Sequence, residues 1–104
     1  MGMANLQRMA LQMQQEMARI DAELKTAEVE GSAGGGVVRA VVTGKQALVS
    51  ITIDPSAVDP ADVEMLQDLV TAAVNDALDA SRKLAEQKMG GLSAMTGGLG
   101  LLGR

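Results

Sequence analysis

Val37-Val38-Arg39-Ala40-Val41-Val42-Thr43-Gly44-Lys45-Gln46-Ala47-Leu48-Val49-Ser50-Ile51-Thr52-Ile53-Asp54 is the stretch whose reading decides the fold. Two runs rich in Val and Ile flank Gly44-Lys45, the pattern of a β-hairpin. Glycine at the first central position fits a two-residue type II′ turn. That turn pairs Thr43 with Gln46, Val42 with Ala47, Ala40 with Val49 and Val38 with Ile51. The resulting face is wholly apolar and calls for a covering helix. The opposite face carries Val41 with Leu48, Arg39 with Ser50 and Val37 with Thr52. It is half apolar, a composition suited to contact with a second copy, which nominates Val37, Arg39, Val41 and Leu48 as a dimer interface.

Upstream, Ala27 to Ala33 reads as a short strand ending at Gly34-Gly35-Gly36. Before it, Leu6, Met9, Met13, Met17, Ile20 and Leu24 recur at spacings of three and four, one stripe of a helix from Asn5 to about Ala27. The stripe is narrow and Met-rich, like the seam between paired helices. Downstream, Asp59-Pro60-Ala61-Asp62 reads as a helix start, with Asp59 as cap, Pro60 in the first turn and Val58 and Val63 as a hydrophobic staple. A broad face then follows: Leu66, Leu69, Val70, Ala73, Val74, Ala77, Leu78, Leu84 and Ala85. Gly90-Gly91 is the expected stop. The order is helix, three antiparallel strands, helix: an α+β domain over residues 1–91, with a Gly-rich tail over 92–104. Both helices, about 30–45 Å long, outrun a hairpin of about 25–30 Å, so the start of the first and the end of the second should pair as a projecting arm.

The 104 residues include no Cys, His, Phe, Tyr or Trp. Disulfides and the commonest zinc sites are excluded, as are aromatic platforms for stacking bases. So are the usual catalytic nucleophile and the side chain that titrates near neutral pH. No nucleotide-binding or hydrolase motif occurs, so the composition argues against an enzyme and implies no cofactor, metal or small-molecule substrate. The acids Asp54, Asp59, Asp62 and Glu64 read as capping and first-turn charges. A domain this small gains stability most simply by association with a second chain. No apolar run is long enough to span a membrane, and Met1 to Leu11 is unlike a secretory signal; the expected location is the cytoplasm.

Net charge is −4, but it is unevenly spread. Residues 1–15 and 80–104 hold five basic side chains (Arg8, Arg82, Lys83, Lys88 and Arg104) against one acid, Glu86. Residues 16–79 hold four basic side chains against twelve acids. The arm is basic and the body acidic. At a Debye length of about 8 Å, the local field is what a phosphate backbone meets.

The run Ala27-Glu28-Val29-Glu30-Gly31-Ser32-Ala33-Gly34-Gly35-Gly36-Val37-Val38 resembles the central signature of the YbaB/EbfC family of bacterial nucleoid-associated proteins. Ile51-Thr52-Ile53-Asp54-Pro55, Val63 to Val70, Ala72 to Leu78, the Gln- and Met-rich first helix and the Met-Gly-rich ending resemble it too. The resemblance implies a tweezer-like homodimer, with strands at its centre and helical arms projecting. It also implies binding of double-stranded DNA in the nucleoid with little sequence preference, affecting chromosome organisation, gene expression or recombination and repair. By position, Arg8, Arg82, Lys83 and Lys88 would face phosphates. About four such contacts would give a slope of log affinity against log salt of about −3.6. The alternative is a protein-interaction or chaperone-like adapter that grips its partner with the Met-lined arms.

Overall fold

Alternation along Val38–Thr43 places Val38, Ala40 and Val42 on one face, where all three are fully buried. The computed structural model describes residues 2–95, with side chains to Gly91. Its elements are α1 (Gly2–Thr26), β1 (Glu28–Ala33), β2 (Val38–Thr43), β3 (Leu48–Ile53) and α2 (Val63–Met95). The strands form one antiparallel sheet in the order β1-β2-β3. A turn of three glycines at left-handed φ, Gly34–Gly36, joins β1 to β2, a conformation that side chains with a Cβ rarely adopt. This is the expected α+β order, with α2 as the covering helix.

α2 lies across β1 and β2, and Ala73 and Ala77 are fully buried with Val38, Ala40 and Val42. The seat is tight at Gly31, where a Cβ would stand 2.1 Å from the Ala77 nitrogen and 2.6 Å from the Ala73 carbonyl oxygen. The buried Ser81 hydroxyl donates to the Thr43 carbonyl at 2.8 Å. From that point α2 leaves the sheet. Ile20 and Leu24 of α1 form a second buried cluster with Met13, Leu84 and Ala85. The two helices therefore pair antiparallel as an arm, and the described residues extend over 72 × 28 × 16 Å.

The β2–β3 connection differs from the expected type II′ turn. Gln46 donates its N–H to the Thr43 carbonyl, Thr43 donates to the Ala47 carbonyl, and Gln46 takes the left-handed φ of 64°. The Thr43 hydroxyl accepts from the N–H groups of Lys45 and Ala47, so it favours this wider loop. Gly44 is needed for space: a Cβ there would lie 2.8 Å from the Leu24 carbonyl oxygen. Val38 consequently faces Ile53 and Ala40 faces Ile51, a slip of two residues that leaves each strand's faces unchanged. A bulge at Val41/Val42 then sets Leu48 opposite Val42, which moves Leu48 off the outer face assigned to it.

The start of α2 is also displaced. Asp59 organises a turn instead, its carboxylate accepting from Ala61 and its carbonyl from Asp62. Asp62 is the cap, accepting from the Met65 N–H at 3.1 Å. With the cap at Asp62, Val58 and Val63 no longer hold the staple positions, and each is about half exposed. At the other end α2 continues through Gly90-Gly91 to Met95 instead of stopping, since glycine inside a helix costs only about 1 kcal/mol relative to alanine. Residues 96–104 of the expected tail lie outside the described residues.

Candidate nucleic-acid interface

The geometry of the arm decides which basic side chains can meet a polyanion. Arg8 lies on the free half of α1, exposed. Helical periodicity puts it on the side away from Leu24, which faces α2. It stands about 24 Å further out than Leu24, at 1.5 Å per residue. Arg82 and Lys83 follow the buried Ser81 and are exposed at the root of the arm. The four nominated cations thus share one arm but form two groups, one near the tip and one at the root.

Their freedom differs. Among the described residues, Arg8 and Lys83 make no ion pair, while Arg82 pairs with Asp79 one turn back. Lys88 is half buried and donates to the Glu23 carboxylate at 3.0 Å, across the two helices. An exposed pair such as Arg82–Asp79 is worth at most about 1 kcal/mol and yields readily to a phosphate. Lys88 is held by a second element and closes the arm. Three further cations cluster near the root and were missed by the sequence reading. Arg19 pairs with Glu16 and Glu23, Lys45 pairs with Asp21, and Lys25 is exposed in the last turn of α1. Lys45 could have been found from the argument that α1 ends where the sheet begins, because the same end of the sheet carries the β2–β3 turn.

These pairs leave a mark on the carboxylates. The hydrogen bond from Lys88, with Arg19 nearby, holds the Glu23 carboxyl below its ordinary value of 4.5. Lys45 lowers Asp21 in the same way, and the Ser56 N–H lowers Asp54. A carboxyl depressed in the folded state stabilises at pH above its unfolded value, and that contribution fades as pH falls through the folded one. Glu23→Gln is therefore expected to loosen the arm at neutral pH and to become indistinguishable from the wild type in acid. Hydrogen exchange at Leu84 to Lys88 across a pH series reads this; equal exchange at neutral pH contradicts the clasp.

The proposed dimer surface fares differently residue by residue. Arg39 is exposed and Val41 half buried on the face away from α2, but β1 sets Ser32 and Glu30 opposite them. That face is therefore more polar than the hairpin alone suggests. Val37 packs at the edge of the core and, with Gly34, Met65 and Leu69, lines a groove of about 380 Å³. The exposed apolar surface of the sheet lies on β3 instead. α2 stops short of it, leaving Leu48 53%, Val49 50%, Ile51 37% and Ile53 36% exposed. Among the described residues, no helix is long and apolar enough to cross a membrane, and no three acidic side chains gather as a metal site.

Comparison with known proteins bears on what such an arm meets. A model of the YbaB/EbfC DNA-binding family matches residues 1–99. The chain is 50% identical over 106 aligned residues to a nucleoid-associated protein of Moorella thermoacetica, covering 99% of each. It is 53% identical over 96 residues to one of Acetivibrio thermocellus, covering 92% of this chain and 82% of that protein. The crystal structure of an uncharacterized protein from Helicobacter pylori superposes with a TM-score of 0.67 at 25% identity, covering 92% of this chain and 97% of that one. The resemblance carried by Ala27–Val38 and the segments around it thus extends over nearly the whole sequence, and the chain belongs to the YbaB/EbfC DNA-binding family.

Proposed function

We propose that the protein is a non-catalytic, nucleoid-associated protein that binds double-stranded DNA as a homodimer with little sequence preference. The observation that carries this reading is the charge separation along the molecule. The outer part of the arm, residues 2–15, holds Arg8 and no acid. At its root Lys83 is exposed, while the acids Glu16, Asp21, Glu23 and Asp79 are each already paired with a cation. Phosphates meet Arg8, Lys83 and, once released from Asp79, Arg82; Lys88 stays with Glu23. No set of side chains here suits a groove code, so binding runs through the backbone and counterion release. The relatives' printed names favour the nucleoid as the place of action.

Charge reversal tests the assignment. Arg82→Glu with Lys83→Glu is expected to weaken binding to a random-sequence duplex by about tenfold or more at low salt, with the dimer intact. Unchanged affinity in a gel-shift series removes the arm from the account.

For the dimer we propose the β3 surface in place of the face first nominated from Val37, Arg39, Val41 and Leu48. An apolar edge strand exposed on both sides invites pairing, and a second copy is the simplest cover for it. Two copies joined there would carry their arms outward, the tweezer form that the family resemblance implies.

A further inference from the structure

The outer half of α1 carries an apolar stripe that nothing in the described chain covers. Met3 is 73% exposed, Leu6 62% and Met9 55%. The stripe is the continuation of the seam by which Met13, Ile20 and Leu24 meet α2. DNA has no use for it, because phosphates are met by charge and Arg8 points to the other side of the helix.

The chemistry around the stripe points to its occupant. Residues 2–15 include no acid and one cation, and that cation is Arg8. A partner chosen by charge would have nothing to read along the stripe itself. Asn5, Gln7, Gln12 and Gln14 flank it and supply amides, each both donor and acceptor. Such a border is self-complementary: turned about a two-fold axis, it offers its own copy a partner for every donor and no like charge to repel. An apolar seam with a neutral amide border is what an isologous contact needs.

We infer that the outer half of α1 is a self-association seam, through which the arm of one dimer pairs antiparallel with the arm of another. The patch is small compared with stable interfaces, so the contact is weak in free solution. Dimers already held on one duplex meet at high effective concentration, and the seam then makes coating cooperative. That role in coating rests on the DNA-binding reading above; the seam itself does not.

Sedimentation velocity of the full chain without DNA, over a range of concentrations, tests the seam. The wild type is expected to show a species of twice the dimer mass that grows with concentration. Leu6→Gln with Met9→Gln, which keeps both helix propensity and charge, is expected to remain a dimer. Leu6→Met with Met9→Leu, which keeps the seam apolar, is expected to retain the larger species. On DNA, the Gln variant should bind a short duplex as the wild type does and lose the steepness of binding on a duplex long enough for several dimers. Identical sedimentation of wild type and Gln variant overturns the inference. So does a fall in melting temperature without loss of a larger species, which would mean that the stripe is covered within the dimer. If the wild type binds neither duplex, the DNA-binding reading fails and sedimentation alone decides the seam.

Discussion

Gly31→Ala is expected to destabilise the protein by about 3 kcal/mol or more, at or beyond the upper end of ordinary overpacking. For a domain of this size that lowers Tm by about 12 °C or more. The added methyl has no flexible side chain to push aside. It meets backbone on α2, 2.1 Å from the Ala77 nitrogen and 2.6 Å from the Ala73 oxygen. Relief requires lifting α2 away from β1, which opens the cluster of Val38, Ala40, Val42, Ala73 and Ala77. Only two of those five, Val38 and Val42, are larger than alanine, so the core has little to spare. The arm depends on the same seat, because Ser81 fixes α2 to Thr43 just before the helix leaves the sheet. Thermal unfolding followed by circular dichroism checks this; a Tm within a few degrees of the wild type would mean that α2 does not sit on β1 as described.

Ile51→Asp is expected to dissociate the dimer while leaving each protomer folded. Ile51 lies on the part of the sheet that α2 does not reach, so a carboxylate there is solvated in the lone chain. In a β3 interface two such carboxylates are desolvated near one another, and an uncompensated buried charge costs about 3–5 kcal/mol. That weakens the dimer by two orders of magnitude or more, at about 1.4 kcal/mol per tenfold. The contrast is Val41→Asp on the other face, expected to leave the dimer intact. Light scattering over a concentration series separates the two surfaces, and the reverse pattern would restore the outer face.

The elements most legible in the sequence were those whose pattern repeats. The stripe from Leu6 to Leu24 and the alternation at Val38, Ala40 and Val42 are periodic over several turns or residues, and the helix and strand they call for are formed. What escaped was set by atoms distant in sequence. Gly44 reads as a turn glycine, yet it is small because Leu24 of α1 passes over it. The loop widened because Thr43 offers its hydroxyl to two N–H groups, and the bulge then turned Leu48 to the other face. Asp59 and Asp62 are both good caps, and which one serves depends on the turn that Pro60 begins. The polar character of the outer sheet face was hidden because it comes from Glu30 and Ser32 on β1, whose register no hairpin turn announces. For the proposed site, Arg8, Arg82 and Lys83 were legible as charge at the chain ends. The clasp of Lys88 on Glu23 was not, since it joins residues 65 positions apart.

The central claim is that exposed cations on the arms hold duplex DNA through its phosphates. Fluorescence anisotropy of a random-sequence duplex, titrated with the wild type at several salt concentrations, tests it most directly. With Arg8, Arg82 and Lys83 engaged, log affinity should fall against log salt with a slope of about −3 for one arm and about −5 for both arms of a dimer. Lys83→Glu should make that slope shallower. Binding that survives high salt with a slope near zero, or a slope that Lys83→Glu leaves unchanged, would contradict the account.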